Sequence, residues 1–376
     1  MEQTPGPTLP MSQIGVNGPA DFDCAAAFKA LQAAFELAME RRPDCLCESF
    51  YTFAGRTVRF RIVGRELAEQ IGRPFAHLVA DTMISPVSDL AIDLWDQEEA
   101  GISCWGASTP HDVGSRQPSR DEVLTISSSG RFVGHQLLRS RAWLDRQARH
   151  LIGWTRSASQ LSLYERGKPF HPLLCVWYYD RDVQVIHAGL VSLNGKGVLL
   201  PGMGGVGKST SAVACLCAGF DFLGDDYVGL QVLADGSFVG HSLYSSTWLE
   251  PDHMARFPVL PLHAIRGLYP WEDKSLILLS DLFPKRLERI APIRVLALPR
   301  VVDSSQSRIR PASKGEGLRE IAPTSLFGVT PRPGARGFKR LAQLVERIPS
   351  YWLELGRDLS QIPQRVEELL ALATRS

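Results

Sequence analysis

The sequence predicts an α/β protein of the α+β kind, with a smaller N-terminal α+β domain ahead of a larger domain built on a mixed sheet. Three observations predict it. A chain of 376 residues with 44% apolar content is long for one domain and ample for two packed cores. Gly197-Val198-Leu199-Leu200, a glycine-rich turn, and a stretch from Ser209 to Ala218 free of Gly and Pro give strand, loop and helix in immediate succession. The turn signals Asn194-Gly195 and Ala234-Asp235-Gly236 join antiparallel neighbours on either side, so the sheet should be mixed and not purely parallel. The expected division is a leader over 1–20, an α+β domain over 21–165 and the larger domain over 166–376.

The leader, MEQTPGPTLPMSQIG and onward, has neither a basic start nor an apolar stretch; it reads as disordered and not as a signal peptide. Asp21 or Asp23 can cap a helix running to about Arg42, whose stripe is Phe28, Leu31, Phe35 and Ala38 and which Pro43 ends. Glu48 to Phe53 and Arg56 to Ile62 form a hairpin around Ala54-Gly55, the second arm alternating Val58, Phe60 and Ile62 with Arg59 and Arg61. A helix from Glu66 to about Ile71 and a strand from Leu90 to Trp95 follow. Gly106 to Arg120 reads as a long surface loop, and Arg139 to Leu151 as an amphipathic helix with a basic solvent face. No catalytic constellation stands out here, so a substrate-presenting, regulatory or oligomerising role is expected of this domain.

In the larger domain, Leu173 to Tyr179 and Val183 to Leu193 read as its first strands. Tyr227 to Leu233 and Ser237 to Leu243 form a further hairpin, and Ser245 to Asp281 reads as a loop region rich in Pro, Trp, His and charge. Ile293 to Val302 is an apolar strand interrupted by Pro299. Phe338 to Leu344 and Ile362 to Leu372 are closing helices with the strand Tyr351 to Leu355 between them.

The chemistry concentrates between Val183 and Leu230. Gly202, Gly207, Lys208 and Ser209 satisfy the G-x-x-x-x-G-K-[ST] phosphate-loop pattern. Glycines at 202, 204, 205 and 207 let successive amides approach a phosphate chain, with Val206 between them and Thr210 just after. Lys208 supplies a mobile positive charge for the β and γ phosphates, Ser209 a hydroxyl for Mg²⁺, and the helix that starts there a positive dipole end. Phe220 to Leu223 reads as a short strand ending in Gly224-Asp225-Asp226. One acid suits the metal and the other the proton of an attacking hydroxyl, provided that the backbone turns at Gly224; otherwise adjacent strand residues face opposite ways.

In this order the residues resemble the C-terminal catalytic domain of the HPr kinase/phosphorylase family, which has a phosphoenolpyruvate-carboxykinase-like P-loop fold. The resemblance rests on His187, Asn194-Gly195, Val198 to Leu200, Gly202 to Ser209, Gly219 and Asp225-Asp226, and covers about fifty residues. It implies that His187 is the active-site histidine, which orients a phosphate or the acceptor. It further implies that Lys208 and Ser209 are nucleotide and Mg²⁺ ligands, that Asp225 activates the acceptor hydroxyl, and that Asp226 ligates the metal or supports a group that does. His187 is followed by Ala188 before Gly189, where the family has His-Gly, and the C-terminal signature that accompanies phosphorylase activity is not found. The chain is thus similar to the divergent kinases of this group, including those associated with modified-peptide biosynthesis.

Further candidates are Glu250, Asp252 and His253 for a metal or acceptor contact, and Lys274, Arg332 and Arg336 for phosphate. Forty-one basic against forty acidic residues leave no excess for sequence-neutral nucleic-acid or anionic-membrane binding. No apolar run reaches the roughly 18 residues of a spanning helix. Seven cysteines without a C-x-x-C pair suit incidental thiols in a reducing, cytoplasmic setting better than zinc or a disulfide framework. The expected function is an ATP-dependent, Mg²⁺-requiring kinase acting on a hydroxyl, first of all a serine in a protein or peptide. A nucleotide-gated regulator without phosphotransfer, or a small-molecule kinase, stands as the alternative, and a homo-oligomer is a further possibility.

Overall fold

A computed structural model describes residues 23–80, 88–103, 123–137, 139–327 and 333–373. The expected leader over 1–20, the loop over 106–120 and Arg332 lie outside the described residues. The chain divides into two compact units, one of Met1–Gly72 with Val79–Leu173, the other of Leu174–Ser376 with the short segment Arg73–Leu78.

The first unit opens with α1 (Cys24–Arg41), where Asp23 caps by accepting from the amides of Ala25 and Ala26, and Phe28, Leu31, Phe35 and Ala38 are buried as their spacing requires. The hairpin of β1 (Leu46–Phe53) and β2 (Arg56–Val63) turns at Ala54-Gly55, both at positive φ. After α2 (Arg65–Gly72) come β3 (Leu90–Asp96), α3 (Gln97–Ala100), β4 (Val123–Ile126), β5 (Phe132–Gln136), β6 (Ser140–Asp145), β7 (His150–Thr155) and α4 (Leu163–Gly167). The seven strands form one sheet in the order β1-β2-β3-β7-β6-β5-β4, with β2–β3 and β3–β7 parallel and the other pairs antiparallel. Inside it, Asp93 takes a bidentate pair from Arg61 at 2.9 and 2.6 Å and meets His150 Nε2 at 2.8 Å.

Two expectations are corrected. Arg139 to Leu151 is not a helix: β6 and β7 pair there as a hairpin, and Arg149 at φ 55 makes the turn. The basic residues follow neither period cleanly, and pairing with β5 and β3 decides the outcome. Leu173 to Tyr179 is not a strand but part of α5 (His171–Tyr179). Leu173, Leu174, Cys175, Val176, Trp177 and Tyr178 are all buried, and a short run buried all round carries no period to separate helix from strand.

The second unit is centred on β8 (Val183–Leu193), β9 (Lys196–Pro201), α6 (Lys208–Cys217), β10 (Asp221–Gly224), β11 (Tyr227–Val232) and β12 (Phe238–Ser242). The region expected to be loop holds α7 (Pro251–Met254) and a small two-stranded sheet of β13 (Ser246–Leu249) and β14 (Ser275–Leu278), which pair antiparallel. Then follow β15 (Ile290–Val301), β16 (Arg308–Ala312), α8 (Lys314–Phe327), α9 (Gly334–Arg347), β17 (Ser350–Leu355) and α10 (Gln361–Ala373). The main sheet is mixed, as expected: β15 runs parallel to β9 and β17, whereas β8 is antiparallel to β9, β10 and β11. Pro299 does not interrupt β15, because past Leu296 that strand is paired by β17 alone among the described residues, and one open flank tolerates a missing N–H.

Two apolar cores lie on the two faces of this sheet. One gathers Val191, Val198, Leu200 and Phe222 with Ala212, Val213 and Leu216 of α6, Leu249 of β13 and Val366 of α10. The other gathers Ile186, Ala188 and Leu190 with Ile321 of α8 and Leu341 and Leu344 of α9. From Ile186 onward the side chains of β8 thus alternate, Val191 and Leu193 toward α6 and Ile186, Ala188 and Leu190 toward α8 and α9. Among the described residues no helix is long and apolar enough to cross a membrane, and the six described cysteines are free thiols.

Candidate active site

The chain leaves β9 at Pro201 and enters α6 at Lys208 through Gly202-Met203-Gly204-Gly205-Val206-Gly207, whose residues 203–205 are exposed. Gly202, Gly205 and Gly207 have φ of 142°, 84° and 102°. Gly207 is the position that most needs its glycine, because a Cβ there would run into the side chain of Leu355 in a left-handed backbone. As the residue that caps α6 it offers no side-chain acceptor, so the first-turn amides of a ten-residue helix are left to an anion or to solvent. The buried Lys208 folds back over the loop, its Nζ donating to the carbonyls of Gly202 and Met203 at 2.8 Å each. Ser209 is half-buried and Thr210 buried.

Strand register brings the acids to the same part of the sheet. Ala188 pairs with Pro201, Leu190 with both Leu199 and Gly224, and His187 with Tyr227. Residues 187–190 of β8 therefore have the mouth of the glycine loop on one flank and the Asp225-Asp226 bend on the other. Two strand spacings put these roughly 10 Å apart. The turn at Gly224 that both acids require is present: the β10–β8 register shifts there, and a Cβ on Gly224 would meet Val228 Cγ1 at 2.7 Å.

The two carboxylates take different environments. Asp226 Oδ1 lies 2.6 Å from His187 Nε2. His187 is an odd residue of β8 like Val191, which packs on α6, so its ring is on the α6 face; Tyr227 lies 5.4 Å from it, centroid to centroid. Asp225 is buried, and its Oδ2 accepts from Thr247 Oγ1 at 2.6 Å. Thr247 belongs to β13, whose Leu249 shares the core of α6, so Asp225 too is held on that face. Thr247 escaped sequence reasoning because Ser245-Ser246-Thr247 carries no motif and stood in an expected loop. Ser325 was missed likewise; its Oγ accepts from the backbone amide of His187 at 3.2 Å.

The remaining candidates gather elsewhere. Glu250 and Lys274 meet each other at 3.9 Å, across the ends of β13 and β14. Asp252 and His253 lie on the exposed α7. Arg336 is engaged by Asp182 and lies over the Tyr179 ring, which leaves it tied to the α5–β8 turn. Among the described residues no group of three or more His, Cys, Asp or Glu side chains is disposed to hold a metal unaided.

No protein-family model and no curated protein matches this chain. Among solved structures it is similar to the HPr(Ser) kinase/phosphatase from Coxiella burnetii, at 14% identity and a TM-score of 0.26, over 51% of this chain and 96% of that one.

Proposed function

We propose that this chain is an ATP-dependent kinase that transfers the γ-phosphoryl group to a hydroxyl, with a serine of a protein or peptide as the first acceptor to consider. One observation carries the reading: a glycine loop with its lysine on one side and two acids on the other flank the same four residues of β8, of which His187 is one. The loop amides and the uncapped start of α6 suit a triphosphate. Lys208, once it leaves the carbonyls of Gly202 and Met203, has the charge and reach for the β and γ phosphates. Mg²⁺ fits the Ser209 hydroxyl and the Asp226 carboxylate, where it would neutralise phosphate charge. His187 holds Asp226 in orientation, through a contact of 2.6 Å.

Asp225 takes the proton of the acceptor hydroxyl. The acceptor oxygen forms its bond to the γ-phosphorus while the bond from that phosphorus to the β–γ bridging oxygen breaks, and ADP leaves with the electron pair. Most of the rate comes from holding these groups in line. The test is Asp225→Asn, assayed with radiolabelled ATP, Mg²⁺ and cell extract. Transfer of label should be lost while ATP binding is largely retained; full transfer by the variant refutes the assignment of the base.

A further inference from the structure

We propose that Thr247 is a positioning residue for Asp225, setting the plane of the carboxylate that receives the acceptor's proton. This rests on the kinase reading above. Both partners are buried, Thr247 at 0% and Asp225 at 3% exposure, and the hydroxyl donates to Oδ2 at 2.6 Å. A threonine hydroxyl has one proton, and here it is committed to the carboxylate. The torsion that turns a carboxylate about its last bond has no sharp preference of its own, so a fixed donor on one oxygen decides where the other points.

The donor itself is well anchored. Thr247 pairs with Ile277 across the antiparallel β13–β14 pair, and both Leu249 and Ile277 belong to the core that includes α6. The element that follows the phosphate loop therefore also steadies the hydroxyl that steadies the base. Packing alone does not call for threonine at this place. Valine has the same shape, and a buried hydroxyl is costly without a partner.

The experiment compares wild type, Thr247→Val and Thr247→Ser by Mg²⁺-ATP turnover, read both as phosphate release to water and as label transferred to extract proteins. Binding of a fluorescent ATP analogue is measured alongside. Thr247→Val should lower kcat about tenfold, the value of one hydrogen bond to a charged group. Analogue affinity should stay within about twofold, as for a group that acts after binding. Thr247→Ser should restore kcat. Should Thr247→Val fail to give a native circular dichroism spectrum, Thr247→Ala is read in the same way.

Wild-type kcat in Thr247→Val overturns the role of Thr247 alone. So does equal impairment of the Ser and Val variants, which would mark a packing effect. A wild-type protein that transfers phosphate to neither water nor protein overturns the kinase reading, and this inference with it.

Discussion

Gly207→Ala is the most exacting test of the loop, because two separate penalties can be worked out for it. The residue has φ 102° and ψ 12°, a left-handed backbone that costs an L-residue roughly 1–2 kcal/mol. The added methyl also overlaps the side chain of Leu355, which is 4% exposed and packed in the core with α6. Overpacking of this kind costs about 1–3 kcal/mol. The total, about 3 kcal/mol, should lower the melting temperature of a unit of about 200 residues by roughly 6–12 °C. Phosphate binding should suffer more than stability does, because the amides on either side of residue 207 are the ones aimed at the anion.

Thermal unfolding and titration with a fluorescent ATP analogue measure the two effects. Leu355→Ala supplies the control: it relieves the overlap but not the backbone strain. The double variant should therefore be less impaired than the sum of the single ones by about 1–2 kcal/mol. Native stability and unchanged analogue affinity in Gly207→Ala would refute the geometry claimed for the loop. Strict additivity with Leu355→Ala would refute the overlap.

Two further outcomes are expected. Burial, with the Arg289 charge adding to it, pushes the His77 imidazole down to about 3, and burial pushes His241 down to about 4. Both rings fold neutral, so stability is full above the unfolded value near 6.5 and falls as pH drops through that point. At pH 5 each should cost about 2 kcal/mol relative to neutral pH. His77→Gln should recover about half of the loss in urea midpoints compared at pH 5 and pH 7.5, and an unaltered pH dependence would refute this. In the first unit, Asp93→Asn strands Arg61 and His150 and should cost about 3 kcal/mol by denaturant unfolding. A change within experimental error would mean that the pair is not held as described.

Much of the fold was legible in local pattern. The stripe of α1, the Ala54-Gly55 hairpin, β8 with its Asn194-Gly195 turn and the closing α9, β17 and α10 all follow from periodicity, caps and turn residues. Failures came where local signals ran out. The stretch 139–151 became a hairpin because neighbouring strands were there to pair with it, and 171–179 became a helix because its burial leaves no period to read. The β13–β14 pair, hidden in a stretch rich in Pro and charge, was legible only once its two strands met.

By itself, the sequence determined the groups that could act: a glycine loop with its lysine, a histidine upstream and two adjacent acids downstream, in an order that composition and turn chemistry make readable. Tertiary structure alone decided which of them meet. Register on β8 sets His187 against Asp226, and a strand more than twenty positions further on brings the Thr247 hydroxyl to Asp225. It also drew Arg336 away to Asp182. The reason is physical: residue type and spacing govern contacts within a turn or a hairpin, whereas the partner of a buried charge is chosen by whichever distant strand the core packs beside it.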